Sequence, residues 1–173
     1  MPKQALIVID IQNDYFDGGN YPQWNTEDTL SKIENAVAKA QLKSIPIILV
    51  QHVADVSRGT APFFNKGTTG VDIHPRILAA APQAEVVVKA FADSFYHTDL
   101  ESVLSARDIE ELLICGMMTQ NCVAFTAVSK AAEKYSIKVL SDCCTSVSQM
   151  VHRIALNALS IRVPLVDSSA ELQ

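Results

Sequence analysis

A chain of 173 residues has the length of one ordinary domain, and at about 150 residues per domain a second core is not expected. Hydrophobic residues make up 49% of it and charged residues 19%, which is too apolar for a disordered chain and usual for a domain with a buried sheet. Fourteen Lys and Arg against nineteen Asp and Glu leave a net charge of −5 with no basic cluster, which argues against nucleic acid or an anionic membrane surface and for a small-molecule ligand.

In chain order, the apolar run 5–9 predicts a first strand. It stops at Asp10, too soon for the hydrophobic region of a signal peptide, so a cytoplasmic location is expected. The polar segment 10–25 must turn at Asp17-Gly18-Gly19-Asn20. Thr26 can cap a helix to about residue 43, with Leu30, Ile33, Val37 and Ala40 forming one buried stripe. The nearly unbroken apolar run 45–50 predicts a second strand covered on both faces. Residues 51–84 form a long connection with a weak helical signal at 75–81, the length of a functional loop or lid. Strands are then predicted at 85–88, 111–115, 137–140 and 162–166, with helices at 98–106, 119–135 and 148–159. The uncharged run 112–129 carries Gly116, Thr119, Gln120, Asn121 and Thr126, which is unlike a membrane span. The alternation predicts one α/β domain over residues 1–173, a three-layer α/β/α arrangement around an open, mostly parallel, Rossmann-like sheet of six strands.

Ligands in such sheets bind beyond the carboxyl ends of the strands. The residues standing there are Asp10, Gln51 with His52, Lys89, the segment 116–122 and Asp142. Asp10 and Lys89 each follow an apolar run, where a lone charge is costly, so each is a plausible partner of the other. Cys122 falls in the first turn of the helix predicted from Thr119, where free N–H groups, the helix dipole and a nearby lysine would lower its pKa and stabilise an oxyanion. Taken singly, Asp10 is also a turn or cap residue, Lys89 a surface lysine and any cysteine a core filler, as Cys115, Cys143 and Cys144 are read here. Three complementary groups at three adjacent strand ends favour a site.

No Cys-x-x-Cys pair suggests zinc or dithiol chemistry, and His52 and His74 with Asp55 and Asp72 lack metal-ligand spacing, so no metal and no cofactor are expected. Tyr15, Phe16, Trp24, Phe63, Phe64, Phe91, Phe95 and Tyr96 fall in loops, equally suited to lining a pocket and to a packed lid. Of these, Tyr15, Phe16 and Phe95 are taken as substrate-binding.

Three segments together resemble one family. They are Ala5–Tyr15 with Asp10-Ile11-Gln12-Asn13-Asp14-Tyr15, Val88-Lys89 followed by Ser94-Phe95, Thr98 and Leu100, and Cys115-Gly116-Met117-Met118-Thr119-Gln120-Asn121-Cys122-Val123. In order and spacing they resemble the isochorismatase-like cysteine hydrolases, which include nicotinamidases and N-carbamoylsarcosine amidases. The resemblance implies a triad of Asp10, Lys89 and Cys122, a cis peptide between Met117 and Met118, and an oxyanion hole from the N–H groups of Met118 and Cys122. It also implies a homo-oligomer, dimer or tetramer. Gln51-His52-Val53 departs from the Asp-x-His metal pair of the family's nicotinamidases. Members acting on isochorismate itself typically lack the cysteine, so Cys122 argues for cleavage of a small amide or carbamoyl C–N bond through a thioester. The alternatives are a vinyl-ether hydrolase and a catalytically silent binding module on the same fold. An aspartyl phosphatase would want a second acid where Gln12 stands.

Overall fold

The computed structural model describes residues 2–173 and is organised around β1 (Gln4–Ile9), buried from Ala5 onward. A strand with no polar face has to be covered on both sides, and β1 lies in the middle of the sheet, between β2 (Ile47–His52) and β4 (Glu111–Met117). Beyond β2 lies β3 (Glu85–Lys89), and beyond β4 lie β5 (Ser136–Thr145) and β6 (Leu165–Val166), giving the order β3-β2-β1-β4-β5-β6. Every pairing is parallel, so the expected six-stranded sheet is parallel throughout. The order reverses between β1 and β4, and the crevice at such a reversal is where ligands bind in open parallel sheets.

The long helix α1 (Thr26–Leu42) buries Leu30, Ile33, Val37 and Ala40 completely, the stripe its spacing predicts. Its cap is not Thr26 but Asn25, at φ 54 in the left-handed region that Asn tolerates. Shorter helices follow: α2 (Pro75–Ala80), α3 (Leu100–Ser105), α4 (Ala124–Ala127), α5 (Gln149–Leu159) and α6 (Ser168–Glu171). No helix of the described residues is long and apolar enough to cross a membrane.

The helix predicted over 119–135 is in fact three pieces, a wide π turn at Thr119–Val123, α4, and a 3-10 segment at Lys130–Lys134. Hydroxyl groups account for the breaks. Thr119 Oγ1 donates to the Thr145 carbonyl at 2.9 Å instead of capping, and Ser129 Oγ accepts from the N–H of Ala131 and starts a new turn. β5 runs well past its predicted end to Thr145, whereas β6 shrinks to two residues.

At the amino ends of β1, β4 and β5, Glu111 gathers neighbouring strands. Its Oε1 accepts from Gln4 Nε2 at 2.6 Å and Lys138 Nζ at 3.3 Å, and its Oε2 from Ser136 Oγ at 3.1 Å. Lys138 also meets Glu171 of α6 at 2.6 Å. Burial alone would raise the Glu111 carboxyl, but the hydrogen bonds from Gln4, Lys138 and Ser136 outweigh it and hold the group below its ordinary range.

Candidate active site

At the carboxyl ends of the strands, Asp10 follows β1 with φ 54, an uncommon conformation outside glycine that aspartate takes more readily than most. Its N–H is held by the Val50 carbonyl at 3.0 Å, which fixes the turn at the end of β1. Lys89 is the last residue of β3 and pairs in register with His52 at the end of β2. The parallel register thereby carries Lys89 toward the centre of the sheet, although β3 is an edge strand.

Cys122 arrives from β4. Gly116, at φ 126, stands so close to β1 that a Cβ would lie 2.1 Å from the Ile9 carbonyl oxygen, so only glycine lets the two strand ends approach. The chain then passes through the cis Met117–Met118 peptide into the π turn that presents Cys122. Met118 O accepts the N–H groups of Asn121 at 3.0 Å and Val123 at 3.3 Å, which ties the turn on either side of the cysteine.

The three side chains meet at the Lys89 ammonium. Nζ lies 2.8 Å from Asp10 Oδ2 and 3.2 Å from Cys122 Sγ, and also 3.0 Å from His52 Nδ1 and 3.1 Å from the Phe91 carbonyl. The side chains of Asp10 and Lys89 have no solvent exposure. Burial alone would lower the Lys89 ammonium, but the Asp10 carboxylate beside it holds it above the usual lysine range. Asp10 Oδ1 has no hydrogen-bond partner among the described residues.

The expected lowering of the Cys122 pKa is overturned. Cys122 is 1% exposed, and burial first, then the negative charge of Asp10, push the thiol above its ordinary value, with Lys89 pulling the other way. Cys122 does lie in the first turn of a helical segment, the π turn that runs on into α4, but a dipole there is not the largest influence on it. The local structure is a wide turn sealed from water and next to a carboxylate, and both favour the neutral thiol over the thiolate.

An aromatic cover closes over the site. Tyr15 and Phe64 are buried with ring centroids 4.5 Å apart, and Phe63 stacks on Tyr21 at 4.7 Å. Burial, then the negative charge of Asp10, push the Tyr15 phenol up, and the Phe64 ring it packs on stands 5.7 Å from the His52 imidazole. Phe64 adopts φ 62, an outlier for a bulky residue, and its N–H donates to Asp14 Oδ2 at 2.7 Å. The other Asp14 oxygen accepts from the N–H of Asn20 at 3.1 Å. One buried carboxylate thus joins the loop after β1 to the long connection 51–84, which folds over the site as its length suggests.

Other expected residues make contacts outside the trio and its cover. Phe16 packs on His74 at 4.4 Å and Phe95 on Tyr135 at 6.1 Å, so the rings they touch are not those of the cover. Asp142 accepts from Ser168 N–H and Oγ and fastens α6. His74 caps α2 by accepting from Arg76 N–H. Cys115, Cys143 and Cys144 are buried, free thiols.

Sequence reasoning placed His52 at a strand end without a partner and missed the fully buried Gln12, whose amide bonds both the N–H and the C=O of His52, each at 2.8 Å. A glutamine two residues past a buried strand was a signal without a partner until the register of β2 was known. Asp10, His52 and Cys122 bring potential metal ligands within 4.8 Å of one another. The Lys89 ammonium lies within 3.2 Å of all three, so a cation already stands where a metal would have to bind, and these residues do not fit a metal site.

Comparison with known proteins shows the family of the chain. Residues 4–170 match the isochorismatase domain family. An uncharacterised isochorismatase family protein of Bacillus subtilis is 33% identical over 147 residues, 85% of this chain and 80% of that protein. The nicotinamidase/pyrazinamidase of Mycobacterium tuberculosis is 27% identical, covering 96% of this chain and 100% of that one. The crystal structure of an isochorismatase-like hydrolase from Alkaliphilus metalliredigens superposes with a TM-score of 0.88 at 26% identity, covering 99% of this chain and 98% of that one. With almost its whole length matched and the fold shared, this chain belongs to the isochorismatase family of hydrolases.

Proposed function

We propose that the chain hydrolyses a small amide or carbamoyl compound through a thioester on Cys122, with Asp10 as the proton carrier and Lys89 as the fixed positive charge. One observation carries the proposal: Lys89 Nζ bridges Asp10 Oδ2 and Cys122 Sγ at 2.8 and 3.2 Å, while Asp10 Oδ1 is left without a partner in a buried site. A carboxylate oxygen with a free lone pair beside a neutral thiol is a general base in waiting.

In the first step Asp10 takes the thiol proton as Sγ bonds to the substrate carbonyl carbon, and the C=O electron pair moves onto oxygen. The N–H groups of Met118 and Cys122 receive that oxyanion. Collapse re-forms the C=O, breaks the C–N bond, and Asp10 returns its proton to the departing nitrogen. Water then adds to the thioester with Asp10 again taking a proton, and collapse expels the sulfur, which takes that proton back from Asp10, leaving a carboxylic or carbamic acid, the thiol and the free carboxylate. Because the thiol is neutral at rest, proton removal and attack are coupled, and Lys89 offsets the negative charge wherever it sits. Tyr15, Phe16 and Phe95 are the aromatic residues assigned to substrate binding, with Tyr15 nearest the cover. The nicotinamidase relative is named for amide cleavage, and the thiol suits an amide carbonyl better than a vinyl ether.

The test is a panel of primary amides, N-carbamoyl amino acids and lactams scored for ammonia or amine release, with Cys122→Ala as control. Release by the native chain and none by the variant is expected. Turnover of vinyl ethers alone, or release undiminished in Cys122→Ala, would overturn the proposal. Failure to turn over any compound, together with stoichiometric binding, would point to a silent binding module.

A further inference from the structure

Lys89 Nζ has four acceptors within 3.2 Å, and an ammonium has three protons. Asp10 Oδ2 and the Phe91 carbonyl can only accept, and they are the negative and the fixed partner of the set. One N–H is therefore left for two claimants, His52 Nδ1 at 3.0 Å and Cys122 Sγ at 3.2 Å.

The backbone that carries His52 is held in place. Gln12 clasps its backbone N–H and C=O, the same amide nitrogen reaches the Val71 carbonyl at 2.7 Å, and the Phe64 ring stands 5.7 Å from the imidazole. Burial, then the charge of Lys89, lower its pKa to about 4 against a smaller opposing pull from Asp10, so the ring is neutral in the working range. With an ammonium donating to Nδ1, the single ring proton is on Nε2. The charged or titratable groups facing the imidazole among the described residues are Lys89, Asp10 at 4.0 Å and Cys122 within 4.8 Å.

Building on the roles proposed above for Asp10, Lys89 and Cys122, we infer that His52 is a positioning residue that holds the third Lys89 N–H at rest and yields it to the sulfur when the thiol proton moves to Asp10. A neutral thiol accepts hydrogen bonds weakly, so the imidazole keeps the N–H in the resting site. A thiolate is a charged acceptor and outcompetes the neutral ring. The charge then forms on sulfur only when Asp10 has taken the proton, and the ammonium need only reorient, not travel. His52 thus disfavours the thiolate until Asp10 takes the proton.

The experiment follows alkylation of Cys122 by a small haloacetamide against pH in the native chain, His52→Phe and His52→Asn. Removing the competing acceptor in His52→Phe hands the N–H to sulfur permanently. Its profile should shift to lower pH by about one unit, an approximately tenfold faster alkylation at fixed pH below the midpoint, which is the worth of about one neutral hydrogen bond. His52→Asn places an amide oxygen near the position of Nδ1 and should restore the native profile. A His52→Phe profile that superimposes on the native one, or moves to higher pH, overturns the inference.

Should His52→Phe fail to fold, the native chain suffices. The nitrogen-15 resonances of His52 should show Nδ1 bare and Nε2 protonated at neutral pH, with Nδ1 shifting as the thiol ionises; a protonated Nδ1 overturns the inference. Failure of the underlying triad looks different, because Cys122→Ala would then retain hydrolysis whatever His52 does.

Discussion

The two ends of the sheet carry the same kind of cluster, a lysine on one strand joined to a carboxylate from another element, and they differ in what each leaves over. At the amino end both oxygens of Glu111 are occupied and Lys138, its side chain 27% exposed, spreads over Glu111 and Glu171. At the carboxyl end Asp10 has an idle oxygen, Lys89 has one acceptor more than it has protons, and both are fully enclosed. Saturation makes the first cluster a fastening. The mismatch of donors and acceptors in the second, with a thiol inside it, leaves a proton and an N–H free to move, which is what a reaction needs.

The sharpest way to break this contrast is to neutralise one acid at each end. Asp10→Asn keeps the shape but cannot take the thiol proton, and hydrolysis of any substrate found should fall by roughly 10²- to 10⁴-fold in single-turnover assays. Glu111→Gln should leave that rate unchanged. Equal losses in the two variants would mean that the ends are not functionally distinct.

A second comparison concerns stability. Lys89→Met leaves the Asp10 carboxylate buried without its counter-charge and should lower the unfolding free energy by about 3–5 kcal/mol in urea titrations. Lys138→Met removes a partly exposed pair and should cost about 1 kcal/mol or less. A smaller loss for Lys89 than for Lys138 would contradict the difference in burial.

A finer effect lies in acid. Because the folded Glu111 carboxyl sits below its unfolded value, its contribution to stability is present above the unfolded pKa of about 4.3 and is lost as pH falls through the lower folded pKa. Glu111→Gln should therefore flatten the fall of stability between about pH 5 and pH 2, and an unaltered acid limb would refute the assignment. Smallest of all should be the effect of a chelator. With the Lys89 ammonium already among Asp10, His52 and Cys122, hydrolysis should survive removal of divalent metals, and activity abolished by chelation and restored by one metal would reverse that conclusion.

The strands and the trio were legible because they depend on local pattern. Apolar runs ending in Asp10 and Lys89 predict strands and their exits, and parallel topology brings such exits together. Three things were not legible. The break of the helix after Cys122 follows from Thr119 and Ser129 hydroxyls finding partners that only the fold brings near. The elevated thiol follows from enclosure, which no sequence window reports. His52 was visible at a strand end, but its contact with Lys89 follows only from the register that sets the two opposite each other.

The central place of β1 has a consequence for how the protein is made. Asp10 is synthesised 79 residues before the lysine that neutralises it, and Cys122 follows 33 residues later still. At about 5–20 residues per second of translation, the carboxylate waits roughly 4–16 seconds for its counter-ion. Until β3 emerges, the strand that will become the middle of the sheet ends in an unpaired charge, so a nascent chain cut before β3 should not hold β1 in a stable core. The ion pair can form before the thiol arrives, and reactivity is the last property the growing chain acquires.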